Sequence, residues 1–399
     1  MDSRTVIITR NILWAKVWGI AVVQGAVTLT WVIYRLYLPL LLVELGLAEE
    51  LALTILIIEN ALETLVEPIF GAFSDRQQER AGSRLSLISL GAILSSGLLL
   101  VILAITVFSQ GQAAQWLFLL LTIIWASVMA ILRAPAIALL GRAADGKSLP
   151  LAASLLTLFG SVVGAFRFDV YGLLLNLGAG FTFTIASLTL LGATATLRWV
   201  TPPEPARNPP SQPASISIYK LSLIFLMGIL VSWGFRFSLL SVNQILTSVL
   251  GATNSKFGMT FFLIILGVAA LPAGKIASKI GNLTSMFLGG WGAAGILLIG
   301  VLLASGATQV FVFFLLALIL GLVLNGVVPF ALDLVPASRS GLGVGMYFGG
   351  FGGGLALFDL IGFGTREVAL STNAISGSLV FMLLTLAIAS LKQRHNPAL

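Results

Sequence analysis

Along most of the chain, apolar residues run in blocks of about 20, the length an α-helix needs to cross the hydrocarbon core of a bilayer. Short polar breaks separate these blocks. They place helices at 14–42, 51–73, 85–108, 115–140, 150–175 and 177–199, and then at 220–244, 256–274, 284–304, 309–331, 340–364 and 372–391. The pattern predicts an all-α polytopic membrane protein with twelve transmembrane helices. The break between the fifth and sixth helices, "YGLLLNLGAG", is thin. The eleventh carries "GLGVGMYFGGFGGG", eight glycines in fourteen positions. Small residues at that density let helix backbones approach closely.

Residues 200–219, "VTPPEPARNPPSQPASISIY", hold six prolines and no long apolar run. Proline at this density gives an extended linker. It divides the chain into a six-helix bundle at 1–199 and a second at 220–399. Weak echoes relate the halves: Pro68 precedes Ser74 by six residues, as Pro272 precedes Ser278. Two such bundles with a site between them suit a transporter that rocks.

Composition supports the membrane reading. The 399 residues are 58% hydrophobic and 9% charged, where a soluble domain carries roughly 25% charged residues. Cysteine is absent and the one histidine, His395, lies in the C-terminal tail. Disulfides and thiolate metal centres are therefore excluded, and neither a metal nor a cofactor is expected. Carboxylates would have to handle any protons. No P-loop, nucleotide fingerprint or Ser/His/Asp set is present, so neither an enzyme nor an ATP-driven pump is expected. The opening "MDSRTVIITRNILWAK" lacks a short apolar core followed by a cleavage site, so the first apolar run is expected to remain as a helix.

The net charge of +7 is a topology signal. The termini and the loops on their side hold Arg4, Arg10, Lys16, Arg76, Arg80, Arg84, Arg142, Lys147, Arg198, Arg207, Lys220, Lys275, Lys279, Arg339, Lys392 and Arg394. The opposite side holds Lys256 and Arg366. This bias places both termini in the cytoplasm, in a cytoplasmic (inner) membrane, and argues against nucleic-acid binding.

The remaining arginines fall inside predicted helices, with several acids. Counting inward from the helix ends at 1.5 Å per residue puts Arg35, Glu59, Arg167, Asp169, Arg236 and Asp359 in one layer, about 8–12 Å beneath the outer surface. Glu67 and Arg133 form an inner layer. Glu63 lies between, with no basic residue at its depth. An ionised group at the bilayer centre costs roughly 2.5–3.5 kcal/mol even on the lenient insertion scale, so these side chains should face the interior. Glu59, Glu63 and Glu67, four residues apart, share one helix face. Matching depths make Arg35 and Glu59 the expected pair. Glu63, with Glu59, is the expected proton carrier. Arg35, Asn60, Arg167, Asp169, Trp233, Arg236 and Asp359 are candidates for a substrate cavity or outer gate. Ion pairs that merely hold helices in register are the structural alternative.

The stretch 71–84, "GAFSDRQQERAGSR", carries a resemblance. Gly71, Asp75 four residues on and the following basic residues resemble the cytoplasmic signature loop of the major facilitator superfamily. Ser74-Asp75-Arg76 with Arg80, Gly82 and Arg84 is most similar to the sucrose and glycoside–cation symporter branch, and more loosely to the bacteriochlorophyll-delivery branch. The resemblance implies that Asp75 sits at the start of the eleventh helix. It also implies that Gly71, Asp75, Arg76, Arg80 and Arg84 form an inner gate; depth places Glu67 and Arg133 above it, as part of the gate or as a structural pair. The second half has Lys279 where the first has Asp75, so no symmetric role is expected. The implied function is secondary active transport by alternating access, proton-coupled, of a small polar solute such as a sugar or glycoside. The expected partners are that solute, protons and the lipid bilayer, with the chain a monomer. Two other readings stay open: a non-transporting member of the fold that assists pigment or membrane-complex assembly, and an exporter of amphipathic drugs.

Overall fold

The computed structural model describes residues 12–109, 111–168, 170–202, 216–303, 306–364, 366 and 368–395, the last four of these without their side chains. Six long helices come first: α1 (Trp14–Glu44), α2 (Leu51–Ala81), α3 (Leu85–Phe108), α4 (Gln112–Ala138), α5 (Leu149–Gly164) and α6 (Ala179–Val200). Six follow: α7 (218–250), α8 (252–280), α9 (Asn282–Leu302), α10 (Ala307–Leu334), α11 (Ser340–Ile361) and α12 (Leu370–His395). The helices α7 and α8 are one continuous run, Ile218–Ile280, broken at Gly251. There φ is 79°, a left-handed conformation that glycine adopts without a Cβ clash. Twelve spans bring the start of α1 and the end of α12 to one side, here the terminal face. Most of the expected linker, 203–215, lies outside the described residues.

Two boundaries differ from the sequence reading. The helix α2 runs to Ala81 rather than 73, so Gly71, Asp75, Arg76 and Arg80 lie on a helix and not in a loop. It stops at Gly82, whose φ of 69° makes the left-handed cap. The fifth span is interrupted: α5 ends at Gly164, a 3₁₀ turn covers Ala165–Arg167, and a short helix spans Tyr171–Leu177. Arg167 thus stands at a helix end and not within a span.

The helix α2 explains why hydropathy alone understates the count. Ten helical runs are apolar enough to cross a membrane, Ile218–Ile280 counting as one, and α2 is not among them. Its polar side faces inward: Glu59, Asn60, Glu63, Glu67, Ser74, Asp75 and Gln78 are buried. Leu65, Ile69 and Phe73 form an exposed apolar stripe, spaced by four, on another face. Lipid contact thus falls to the leucine side, and the carboxylates are kept for the protein interior.

The buried face of α2 meets α11. A Cβ at Gly341 would strike Gly71 O, one at Gly345 would strike Glu67 O, and one at Gly352 would meet Asn60 O and the Glu63 side chain. Only glycine permits this backbone-to-backbone approach, which joins the first six helices to the last six. A second seam joins α5 to α8, where Gly274 abuts Pro150 and Ser154.

Candidate functional site

Between the two sets of helices lies a cavity of about 520 Å³. The helices α1 and α5 supply Gln24, Thr28, Arg35, Thr157 and Ser161, and Arg167 and Tyr171 follow the end of α5. The opposing wall is mostly apolar: Leu263 on α8, Leu324, Val327 and Val328 on α10, and Tyr347, Phe348 and Phe351 on α11.

Four arginines stand at membrane depth, and each lies over an aromatic ring. Arg35 sits 5.2 Å from the Trp31 centroid, Arg133 4.6 Å from Phe348, Arg167 4.9 Å from Phe168 and Arg236 5.2 Å from Phe358. The ring faces attract the cation and cover its apolar plane. Their acid partners differ from those expected by depth. Arg133 bridges both lower carboxylates: its Nε donates to Glu67 Oε1 at 2.7 Å and its Nη2 to Glu63 Oε2 at 2.8 Å. Glu63 is therefore paired, which overturns the expectation that it stands alone. Depth counting missed this because a guanidinium donates from several nitrogens and can serve carboxylates one turn apart.

Glu59 does not pair with Arg35. Its Oε1 accepts a hydrogen bond from the Tyr34 hydroxyl at 2.5 Å, and its Oε2 has no partner. Tyr34 is held there by Trp125, with ring centroids 4.3 Å apart. Arg236 pairs with Asp359 at 2.6 Å, within the last six helices. Arg35 and Arg167 make no ion pair with a described acid; both are exposed to solvent and line the cavity. Asp169 lies outside the described residues. Among the described residues of the outer layer, Arg236 and Asp359 alone form an ion pair.

Other candidates move too. Trp233 is no cavity platform: its Nε1 donates to Gly354 O at 2.7 Å, and its ring packs against Phe237, Phe358 and Phe363. Asn60 is buried where α2 meets α11, not at the cavity.

At the terminal face, Asp75 accepts from Arg84 Nη2 at 3.0 Å, Gly341 N at 2.7 Å and Leu342 N at 2.8 Å. The first backbone amides of α11 have no intrahelical acceptor, and a carboxylate there satisfies them and the helix dipole together. Arg84 also donates to Ser340 Oγ at 3.2 Å. Arg76 and Arg80 are exposed and make no ion pair with a described acid, which departs from their expected place in the gate. At 100° per residue, Arg76 and Arg80 stand about 100° and 140° round the helix from Asp75.

The sequence pattern of the Major Facilitator Superfamily matches residues 20–358. The chain belongs to the Major Facilitator Superfamily. Members of this superfamily are transporters, not enzymes, and the chain is a multi-pass membrane protein. No curated protein sequence matches it. Among solved structures, a bacterial homologue of the iron transporter ferroportin, in its outward-facing state, aligns with TM-score 0.72 and 14% identity, over 96% of this chain and 100% of that one. The superfamily transporter FucP in the outward conformation aligns with TM-score 0.71 and 12% identity, over 94% and 97%. A human organic anion transporter aligns with TM-score 0.66 and 11% identity, over 95% and 100%. At these identities the likeness is one of fold.

Several site residues had no sequence signal. Tyr34 and Phe348 sit in apolar runs as ordinary core residues would. Ser340 and Gly341 read as a helix start, and only the fold brings them to Asp75.

Proposed function

We propose that this superfamily member is a proton-coupled secondary transporter that carries a small polar solute by alternating access, as a monomer in a cytoplasmic (inner) membrane with both termini inside. The observation that carries the reading is the cavity lined by both sets of helices, with the α2–α11 and α5–α8 seams packed toward the terminal face. Asp75, Gly71 and Arg84 act as the inner latch on this reading, and their contacts with α11 part when the seam opens.

Proton coupling is supported by a charge count. Three buried carboxylates on α2, Glu59, Glu63 and Glu67, meet one guanidinium, Arg133, within ion-pair distance. Full ionisation would leave two negative charges with no ion-paired cation of their own in a low-dielectric interior, with Arg35 reaching them only at longer range, and burial disfavours this. Glu59 has a phenol as its partner and no guanidinium in contact, so it replaces Glu63 as the leading proton carrier. The Glu63–Arg133–Glu67 set lies beside it and under Phe348, the ring that both covers Arg133 and lines the cavity.

The test is uptake into proteoliposomes across a solute panel, with and without an imposed pH gradient. Wild-type protein should concentrate a solute only with the gradient. Glu59→Gln should keep solute exchange at equilibrium but lose gradient-driven accumulation. Accumulation by Glu59→Gln at the wild-type level would remove Glu59 from the coupling step.

A further inference from the structure

The cavity has a charge that nothing described in it balances. Two of the four arginines at membrane depth are neutralised, Arg133 by Glu63 and Glu67 and Arg236 by Asp359. The other two, Arg35 and Arg167, line the same cavity, which no described Asp or Glu lines. They lie close enough to each other and to Arg236 to repel, and Arg35 feels Glu63 and Glu59 at longer range without an ion pair to either. Each keeps its donors accessible within the cavity and rests its apolar face on a ring, Trp31 or Phe168. A protein that needed these cations only to fix helices would seat them on carboxylates, as it does the other two.

We propose that the cavity binds an organic anion: a carboxylate head held by Arg35 and Arg167, and an apolar or aromatic body against Leu324, Val328, Phe348 and Phe351. The inference rests on the transporter reading and narrows its solute class. A guanidinium presents paired donors that fit a carboxylate, and in a low-dielectric chamber this attraction is stronger than in water. The walls are sorted to match. The hydroxyls and amide of Thr28, Ser161 and Gln24 stand on the arginine side, and the side chains of α10 and α11 form the other. A volume of about 520 Å³ suits a body of one or two rings. A free sugar would leave both arginines without a counter-charge and would meet a largely apolar wall.

The test uses the full-length protein in nanodiscs and matched probes that differ only in the head group: benzoate, benzamide and benzylammonium, and 1-naphthylacetate with its amide and amine. Binding is read by thermal stabilisation and calorimetry. The carboxylates should bind about tenfold or more tighter than their amides, and the ammonium probes should not bind, as expected for charge-assisted hydrogen bonds. Arg35→Gln and Arg167→Gln should each weaken carboxylate binding by about tenfold or more, with Arg35→Lys intermediate. Lys275→Gln, an exposed cation near the terminal end of α8 and outside the cavity, serves as the folding and charge control and should leave affinity unchanged. Amides binding as tightly as carboxylates, no carboxylate binding at millimolar concentration, or equal affinity in the arginine variants would each overturn the proposal. Counterflow in proteoliposomes separates the two readings. Exchange of neutral solutes without anions would sink the anion class and leave transport standing. Tight anion binding with no exchange of any solute would do the reverse.

Discussion

Replacing Arg133 tests the charge count directly. Its guanidinium makes three contacts with two carboxylates: Nε to Glu67 at 2.7 Å, Nη2 to Glu67 at 2.6 Å and Nη2 to Glu63 at 2.8 Å. Arg133→Gln keeps an amide donor but removes the one described cation in contact with them, leaving two carboxylates in one buried pocket. Removing one partner from a buried pair costs about 3–5 kcal/mol, because the other charge stays uncompensated. That is roughly a hundredfold to several-thousandfold in the unfolding constant. Glu63→Gln acts in the opposite sense. It leaves one carboxylate against one guanidinium and supplies an amide oxygen in the place of the lost acceptor, so it should cost no more than about 1 kcal/mol. The triple variant Arg133→Gln, Glu63→Gln, Glu67→Gln carries no charge there and should regain part of the loss. Reversible unfolding in mixed micelles reads all three. Arg133→Gln within about 1 kcal/mol of wild type, or Glu63→Gln as damaging as Arg133→Gln, would refute the view that two acids share one cation.

Four other outcomes follow from the geometry. Asp75→Asn keeps the shape of the latch but loses its charge, and should increase opening of the terminal face about tenfold or more; the reading is spin-label distances between cysteines placed on α2 and α11, in a chain with no native cysteine. Gly345→Val puts a side chain against Glu67 O and Pro68 Cα, backbone atoms that cannot yield, and should open the same seam more widely in that assay. Tyr34→Phe leaves Glu59 without its donor and should destabilise the fold by about 1–3 kcal/mol, with Glu59→Leu in the same background restoring part of it, as followed by unfolding. Gly251→Ala forces a Cβ onto a φ of 79° at the α7–α8 turn and should cost roughly 1–3 kcal/mol, whereas Gly295→Ala, which meets open space on α9, should not.

The sequence made the architecture legible because a bilayer imposes a simple rule of length and polarity. Eleven of the twelve spans can be read from apolar runs alone, and α2 is read from its apolar stripe beside Glu59, Glu63 and Glu67, whose inward turn follows from their spacing and their cost in lipid. Partners were not legible, for a geometric reason. Depth counting pairs groups at equal height, yet Glu63 and Glu67, four residues and about 6 Å of rise apart, share one arginine. Arg35 and Glu59 do match in height, but α1 offers Glu59 the Tyr34 hydroxyl and turns Arg35 to the cavity. Trp233 looked like a platform by its distance from Arg236, but its indole N–H had a free carbonyl at Gly354 and took it. The resemblance at 71–84 found Asp75 but overvalued Arg76 and Arg80, since a helix through Ala81 carries those two to another face.

The energy scale of the terminal-face contacts bears on how such a molecule moves. Opening the α2–α11 seam breaks three hydrogen bonds that cross it, from the amides of Gly341 and Leu342 to Asp75 and from Arg84 to Ser340 Oγ, while Arg84 stays with Asp75 on the same side. Hydrogen bonds to a charged group are worth about 1.5–3 kcal/mol each, so the three hold roughly 4.5–9 kcal/mol against opening. Moving a two-state equilibrium from 1:99 to 99:1 takes about 5.5 kcal/mol. The latch is therefore strong enough to keep the seam shut in an empty carrier and weak enough for a bound ligand to release. A ligand does so only by binding the two states unequally. Arg35 and Arg167 belong to the first six helices and the apolar wall to the last six, so a solute spanning both changes its contacts whenever one set moves against the other. A head group that binds the arginines alone would occupy the cavity equally well in either state and drive nothing; the apolar body is what couples occupancy to the latch. Acetate should accordingly leave the α2–α11 spin-label distances unchanged at saturation, and 1-naphthylacetate should shift them.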